Sequence, residues 1–258
     1  MTARDRVAFR SDLLPVEHFD ERFSDDNLAF WVPLIVEAAR IGPDPPVLDV
    51  GCGTGGFSRA IAERASAAVT GLDSSSRFIA FANALPAPRR GAVDWVVGDA
   101  ERLRLEDASF DRVLLSLVLH QLADPEAAVG EAFRVLAAGG LALVRTIAPE
   151  DAVERVPERY LPSMAAADAS RLPEIAAVEQ WLARAGFGPP VTRRVPRNKR
   201  LSLADEERQL LVEVRSRYPF IGAEELEEGL RRMRADAQRA GEWIDPRPTY
   251  LLAASKPG

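Results

Sequence analysis

Cysteine is almost missing from this chain: Cys52 is the only one in 258 residues, and histidine occurs only at His18 and His120. A lone cysteine forms no internal disulfide and excludes a multi-cysteine metal site. No apolar run approaches the roughly 20 residues that a membrane span requires. The N-terminal MTARDRVAFRSD lacks the apolar stretch of a secretion signal, so no membrane partner and a cytoplasmic location are expected. Excess positive charge is missing too. The formal net charge is −6, whereas a polyanion surface needs clustered cations to displace counterions, so no nucleic-acid partner is expected. One local exception is VTRRVPRNKR, which gathers Arg193, Arg194, Arg197, Lys199 and Arg200. It reads either as a charged edge strand and loop that resist aggregation or as an attraction for an anionic group. With 47% hydrophobic and 28% charged residues, the chain can bury one large core.

What is present is a patterned glycine segment, VLDVGCGTGGFS, over residues 47–58. An apolar strand feeds a glycine-rich turn that opens a helix. Gly51, Gly53 and Gly56 are expected to allow positive backbone angles and close ligand approach, while the helix N-terminus offers unpaired N–H groups. The spacing by itself also describes a dinucleotide site. Asp49 changes the balance, because an acid at the strand's carboxyl end suits a cation better than a pyrophosphate. Cys52, inside the loop, reads as a small filler.

From residue 47 the pattern alternates short apolar strands, at 47–50, 68–73, 93–98, 111–115 and 141–146, with amphipathic helices. Such alternation predicts a parallel sheet covered on both faces, with ligands beyond the strands' carboxyl ends. Asp49, Asp73, Asp99, Ser116 and Arg145 all fall at such ends. Leu28, Trp31, Leu34, Ile35 and Ala38 predict a helix before the sheet, ended by Gly42-Pro43. A helix over 176–185, a sixth strand over 191–196 and a seventh over 250–255 complete the pattern. Between the last two strands lie about fifty residues that read as helical, with stripes Leu210/Val214/Tyr218 and Leu226/Leu230/Met233. These stripes need an apolar surface to cover, either the mouth of the domain, as a substrate lid, or a second subunit.

The glycine segment, AVTGLDSSS, VVGDAERL, SFDRVLLSLVLHQLADP and AFRVLAAGGLALVRT occur in this order. Together they resemble class I S-adenosylmethionine (SAM) dependent methyltransferases, specifically the UbiE-like, type 11 branch, over about residues 40–150. The resemblance implies an α/β, Rossmann-like seven-stranded sheet of strand order 3-2-1-4-5-7-6, with an N-terminal helical cap and a helical insertion between strands six and seven. It implies a single domain over 1–258, with the cap at 1–40, the SAM-binding core at 41–150 and substrate-facing insertions at 151–175 and 197–248. It implies SAM as cofactor, S-adenosylhomocysteine as its product, and no metal. Cofactor contacts fall on Asp49, Gly51, Cys52, Gly53, Asp73, Ser74, Asp99, Ala100, Glu101 and Ser116. In that pattern Asp73 holds the ribose hydroxyls, Asp99 and the Ala100 N–H take the adenine, and Asp49 and Ser116 lie toward the methionine end.

Methyl transfer from a sulfonium needs alignment more than functional groups, so catalytic side chains are harder to read. His120 is a candidate base, and Arg145 a candidate anchor for an anionic substrate or a member of a buried ion pair. Phe19, Phe23, Tyr160 and Tyr218 could line an aromatic substrate pocket or serve as core. The expected partner is a small molecule, anionic or aromatic, methylated on O, N or C, and the expected assembly a monomer or homodimer. A tRNA or protein methyltransferase and a SAM-bound enzyme of non-methylating chemistry such as cyclisation remain as alternatives.

Overall fold

The computed structural model describes residue 16 and residues 23–152, 155–240 and 243–258. Its chain divides into two compact units.

One unit, residues 14–146, 175–193 and 251–258, is built on a sheet. Strands β1 (Val47–Val50), β2 (Ala68–Asp73), β3 (Ala92–Val97), β4 (Phe110–Ser116), β5 (Leu136–Thr146), β6 (Val191–Val195) and β9 (Thr249–Ser255) form one seven-stranded sheet of order β3-β2-β1-β4-β5-β9-β6. The last strand in sequence is the sixth in space, which is the arrangement the family resemblance implies. Pairing from β1 through β5 is parallel. All four residues of β1 are buried, as expected of a central strand with helices on both faces. The order reverses at β1, between β2 and β4, and that reversal leaves the crevice in which ligands of such sheets bind.

The helix before the sheet, α1 (Asp25–Ala38), buries Trp31, Val32 and Ile35 and packs against α2 (Gly56–Ala65). It stops before Gly42. Arg40 takes the left-handed angle (φ 50°), and the Ile41 N–H returns to the Val36 carbonyl at 2.9 Å, a Schellman-type closure made without glycine. Helix α3 (Ser76–Ala84) is capped by the Ser75 hydroxyl. Helix α4 (Pro125–Val135) is capped by Asp124, with proline in its first turn. Strand β5 begins at Leu136, directly after α4, and carries Gly139 at φ 75° within it. The strand, expected from residue 141, therefore starts five residues earlier, with the left-handed glycine inside it.

The other unit collects residues 147–174 and 194–250, together with 1–13. Segment 147–174 forms α5 (Pro149–Ala152), α6 (Val156–Tyr160) and α7 (Pro162–Arg171); α8 (Ile175–Ala185) follows in the sheet unit. The fifty-residue insertion forms α9 (Leu203–Arg217) and α10 (Ala223–Ala240). Its ends are not helical: β7 (Asn198–Leu201) and β8 (Trp243–Pro246) pair antiparallel. The predicted stripes cover each other and a third partner. Leu210, Val214, Tyr218, Leu230 and Met233 share one cluster with Val156, Tyr160, Leu161 and Met164, and Leu226 packs partly buried against it. Segment 155–164 thus supplies the surface that the sequence assigned to the domain's mouth or a second chain.

Candidate functional site

The glycine loop is fixed by backbone bonds to the end of β2. The N–H groups of Gly51 and Cys52 both reach the Leu72 carbonyl, at 2.7 and 3.0 Å. The Gly53 N–H donates to Asp73 Oδ2 at 2.9 Å. Positive φ occurs at Gly51 (73°), Gly53 (60°) and Gly55 (82°), so the third left-handed position is Gly55 and not Gly56. Gly56 is needed for a different reason. A Cβ there would lie 2.2 Å from Phe23 Cγ, because the Phe23 ring rests on the loop and meets Phe57 edge-on at 5.5 Å. Trp95 occupies the other side. It is the register partner of Gly71, and a Cβ at Gly71 or Gly55 would come within 2.5 or 2.2 Å of its ring. Neither Gly55 nor Trp95 was among the sequence candidates. The available signal was a tryptophan in β3 beside a glycine in β2.

Asp49 is 2% exposed on β1 and accepts a 2.6 Å bond from the Ser58 hydroxyl of α2. Burial pushes its carboxyl up to about 6, against the opposing pull of Ser58 and of Arg145, while Asp73 adds a smaller upward push. Sequence reasoning passed over Ser58, although Ser58, Ile61 and Ala62 share one buried helix face. The Arg145 guanidinium lies 4.7 Å from the Trp31 ring and 4.5 Å from Phe57, an aromatic cradle that offsets its desolvation. Cys52 is buried and its thiol is driven well up by burial and by Asp49 and Asp73. Nucleophilic chemistry needs the thiolate, which these surroundings disfavour.

Asp73 ends β2 half-buried. Its Oδ1 accepts the Ser75 N–H at 2.9 Å, as Oδ2 does that of Gly53, and burial raises its carboxyl against these two bonds. Each oxygen retains acceptor capacity for a further donor. Ser74 is exposed beside it. Asp99 is exposed, with Oδ1 taking the Glu101 N–H at 2.9 Å, and Ala100 is buried. Glu101 points into the next loop, where Oε1 accepts the N–H groups of Ala123 and Asp124 at 2.6 and 2.9 Å. It braces the segment after β4 against the one after β3. Ser116 ends β4 with its hydroxyl buried and without a hydrogen-bond partner among the described residues. Leu117 follows with φ 55°, an angle that costs a branched residue about 1–3 kcal/mol. His120 is half-buried in the short 3-10 turn Leu119–Gln121.

The remaining candidates lie elsewhere. Tyr160 and Tyr218 are 8% and 2% exposed in the cluster of the other unit. Their hydroxyls donate to Asp236 at 3.0 Å and Asp168 at 2.7 Å, which gives both rings packing work. In the basic segment, Arg194 bonds Asp151 at 2.6 Å. Phe19 lies outside the described residues.

The comparisons agree with this layout. Residues 48–144 match the family model described as "Methyltransferase domain". A malonyl-[acyl-carrier protein] O-methyltransferase of Serratia marcescens is 39% identical over 106 residues, 41% of this chain and 40% of that protein. A demethylmenaquinone methyltransferase of Renibacterium salmoninarum is 36% identical over 114 residues, 44% of this chain and 46% of that one. The chain thus spans less than half the length of either relative. Among solved structures, the [4+2]-cyclase SpnF superposes with a TM-score of 0.57 at 23% identity, over 88% of this chain and 80% of that one, a likeness of fold. Glycine loop, strand-end acids, sheet order and sequence match coincide in one stretch: residues 48–144 form a methyltransferase domain similar to those of the UbiE-like, class I SAM-dependent enzymes.

Proposed function

We propose that the protein transfers the methyl group of SAM to an O, N or C atom of a small molecule by in-line displacement. The observation that carries this is the convergence of Asp49, Asp73, Asp99 and the buried Ser116 hydroxyl, which has no hydrogen-bond partner among the described residues, at the ends of adjacent parallel strands around a glycine loop with three positive φ angles. The donor set fits the cofactor. Asp73 takes the ribose hydroxyls, Asp99 and the Ala100 N–H the adenine edge, Asp49 the cationic end of the methionine, and Ser116 its polar tail. Bound SAM supplies an activated methyl carbon. The chain's own work is to hold it in line with the acceptor and to exclude water. His120, on the turn after β4, is the side chain we assign to accepting a substrate proton where the acceptor carries one.

The two relatives are named for malonyl-[acyl-carrier protein] and demethylmenaquinone; an acid-bearing and a ring-bearing acceptor are therefore the first classes to try. Calorimetry with S-adenosylhomocysteine, followed by mass spectrometry of an acceptor panel incubated with methyl-labelled SAM, tests the proposal. Binding with label transferred to an acceptor supports it. Binding with a rearranged, unlabelled product would replace it with cyclase-type chemistry.

A further inference from the structure

The buried charge beneath the glycine loop carries a second inference, which rests on SAM being the ligand. Asp49, Ser58 and Arg145 are 2%, 0% and 4% exposed and come from β1, α2 and β5. The charged or titratable groups acting on Asp49 are Arg145 from β5 and Asp73 from β2, and Cys52 lies in the adjoining loop. Ser58 donates at 2.6 Å, a length typical of a hydroxyl bonded to an ionised carboxylate. Arg145 cannot easily swing away, because Trp31 and Phe57 both hold its guanidinium within 5 Å of their rings. Burial and Asp73 favour the neutral acid, whereas Ser58 and Arg145 favour the carboxylate. We propose that Ser58 and Arg145 are positioning residues that hold Asp49 charged, and that through them the pocket couples uptake of a cationic ligand end to pH.

The sign follows from linkage. A ligand ammonium binds the carboxylate in preference to the acid, so affinity is weak while Asp49 is protonated and rises as pH passes through its midpoint, which lies at about 6. It declines again at higher pH, where the ligand's own amine loses its proton.

The test uses the whole chain in two measurements. Carbon-detected NMR follows the Asp49 carboxyl in ligand-free protein, in wild type and in Ser58→Ala, Arg145→Met and Arg145→Lys. Calorimetry follows S-adenosylhomocysteine affinity from about pH 5 to about pH 7.5. The expected results are an Asp49 midpoint near 6 that moves up by roughly one unit in Ser58→Ala and Arg145→Met, and that Arg145→Lys largely restores. Affinity in wild type should rise roughly tenfold across the range, in step with the ionised fraction, and the rise should shift to higher pH in the same two variants. Ser58→Ala removes one oxygen and decides the matter even where Arg145→Met does not fold. An unmoved midpoint overturns the positioning role. Constant affinity across the range overturns the coupling to pH. Absence of binding at every pH overturns the cofactor reading and the coupling with it, and the ligand-free titration then still decides the positioning role.

Discussion

The two units of this chain are held together by different means. In the sheet unit the site is made by short stretches of sequence. Asp49, Asp73, Asp99, Ser116 and Arg145 lie at or within two residues of strand ends, and the glycine loop is fixed by bonds to Leu72 and Asp73, about twenty residues away. In the other unit distant segments are tied together. Val156 donates its N–H to Asp245, 89 residues distant, and Ser163 to Glu225, 62 residues distant. Asp245, fully buried, also pairs with Arg247. Backbone geometry at strand ends can be read from type and spacing, whereas a core assembled from separate segments depends on which faces find each other.

Substitutions can press on that contrast. The largest effect should come from Gly55→Val, which combines φ 82° with a Cβ 2.2 Å from the Trp95 ring. Strain and overpacking together should cost roughly 3–5 kcal/mol, with loss of S-adenosylhomocysteine binding. A melting temperature unchanged from wild type would show that Trp95 yields and that the loop is less constrained than its geometry implies.

Met233→Ala tests the other side. Met233 is fully buried in the second cluster, and truncation should cost about 2–5 kcal/mol, measured by denaturant titration. If the units are energetically separate, S-adenosylhomocysteine affinity should stay within about threefold of wild type, under 1 kcal/mol. A parallel collapse of affinity would instead show that one unit folds on the other.

Asp73→Ala should weaken cofactor binding by roughly tenfold to a hundredfold, since a charged acceptor for two hydroxyls is worth about 1.5–3 kcal/mol. The structure adds that the same carboxylate accepts from Gly53 and Ser75, so a modest fall in melting temperature should accompany it. Unchanged affinity with a large loss of stability would make Asp73 a loop brace only. The smallest effect is expected for Ser75→Ala, which removes the cap of α3 at a cost of about 1 kcal/mol and should leave ligand affinity near wild type in the same calorimetric assay.

The sequence by itself determined the alternating strands and helices of the sheet unit and the acids near the strand ends, because short apolar strands and amphipathic helices in alternation make a parallel sheet; the strand order came with the family resemblance that those motifs carry. It also determined that the middle of the insertion is helical and which stripes it buries, but not the strand pair at its ends. Tertiary structure decided the rest. It moved the third left-handed glycine from Gly56 to Gly55, since Trp95 and Phe23 divide the space on either side of the loop. It turned Glu101 into a brace for Ala123 and Asp124, and placed Tyr160 and Tyr218 in a core formed by helices far apart in sequence. It placed Ser58 on Asp49 and set Arg145 between two aromatic rings. A residue's type and spacing fix what it can bond to, but the partner is chosen by chain segments that only packing brings within hydrogen-bond range.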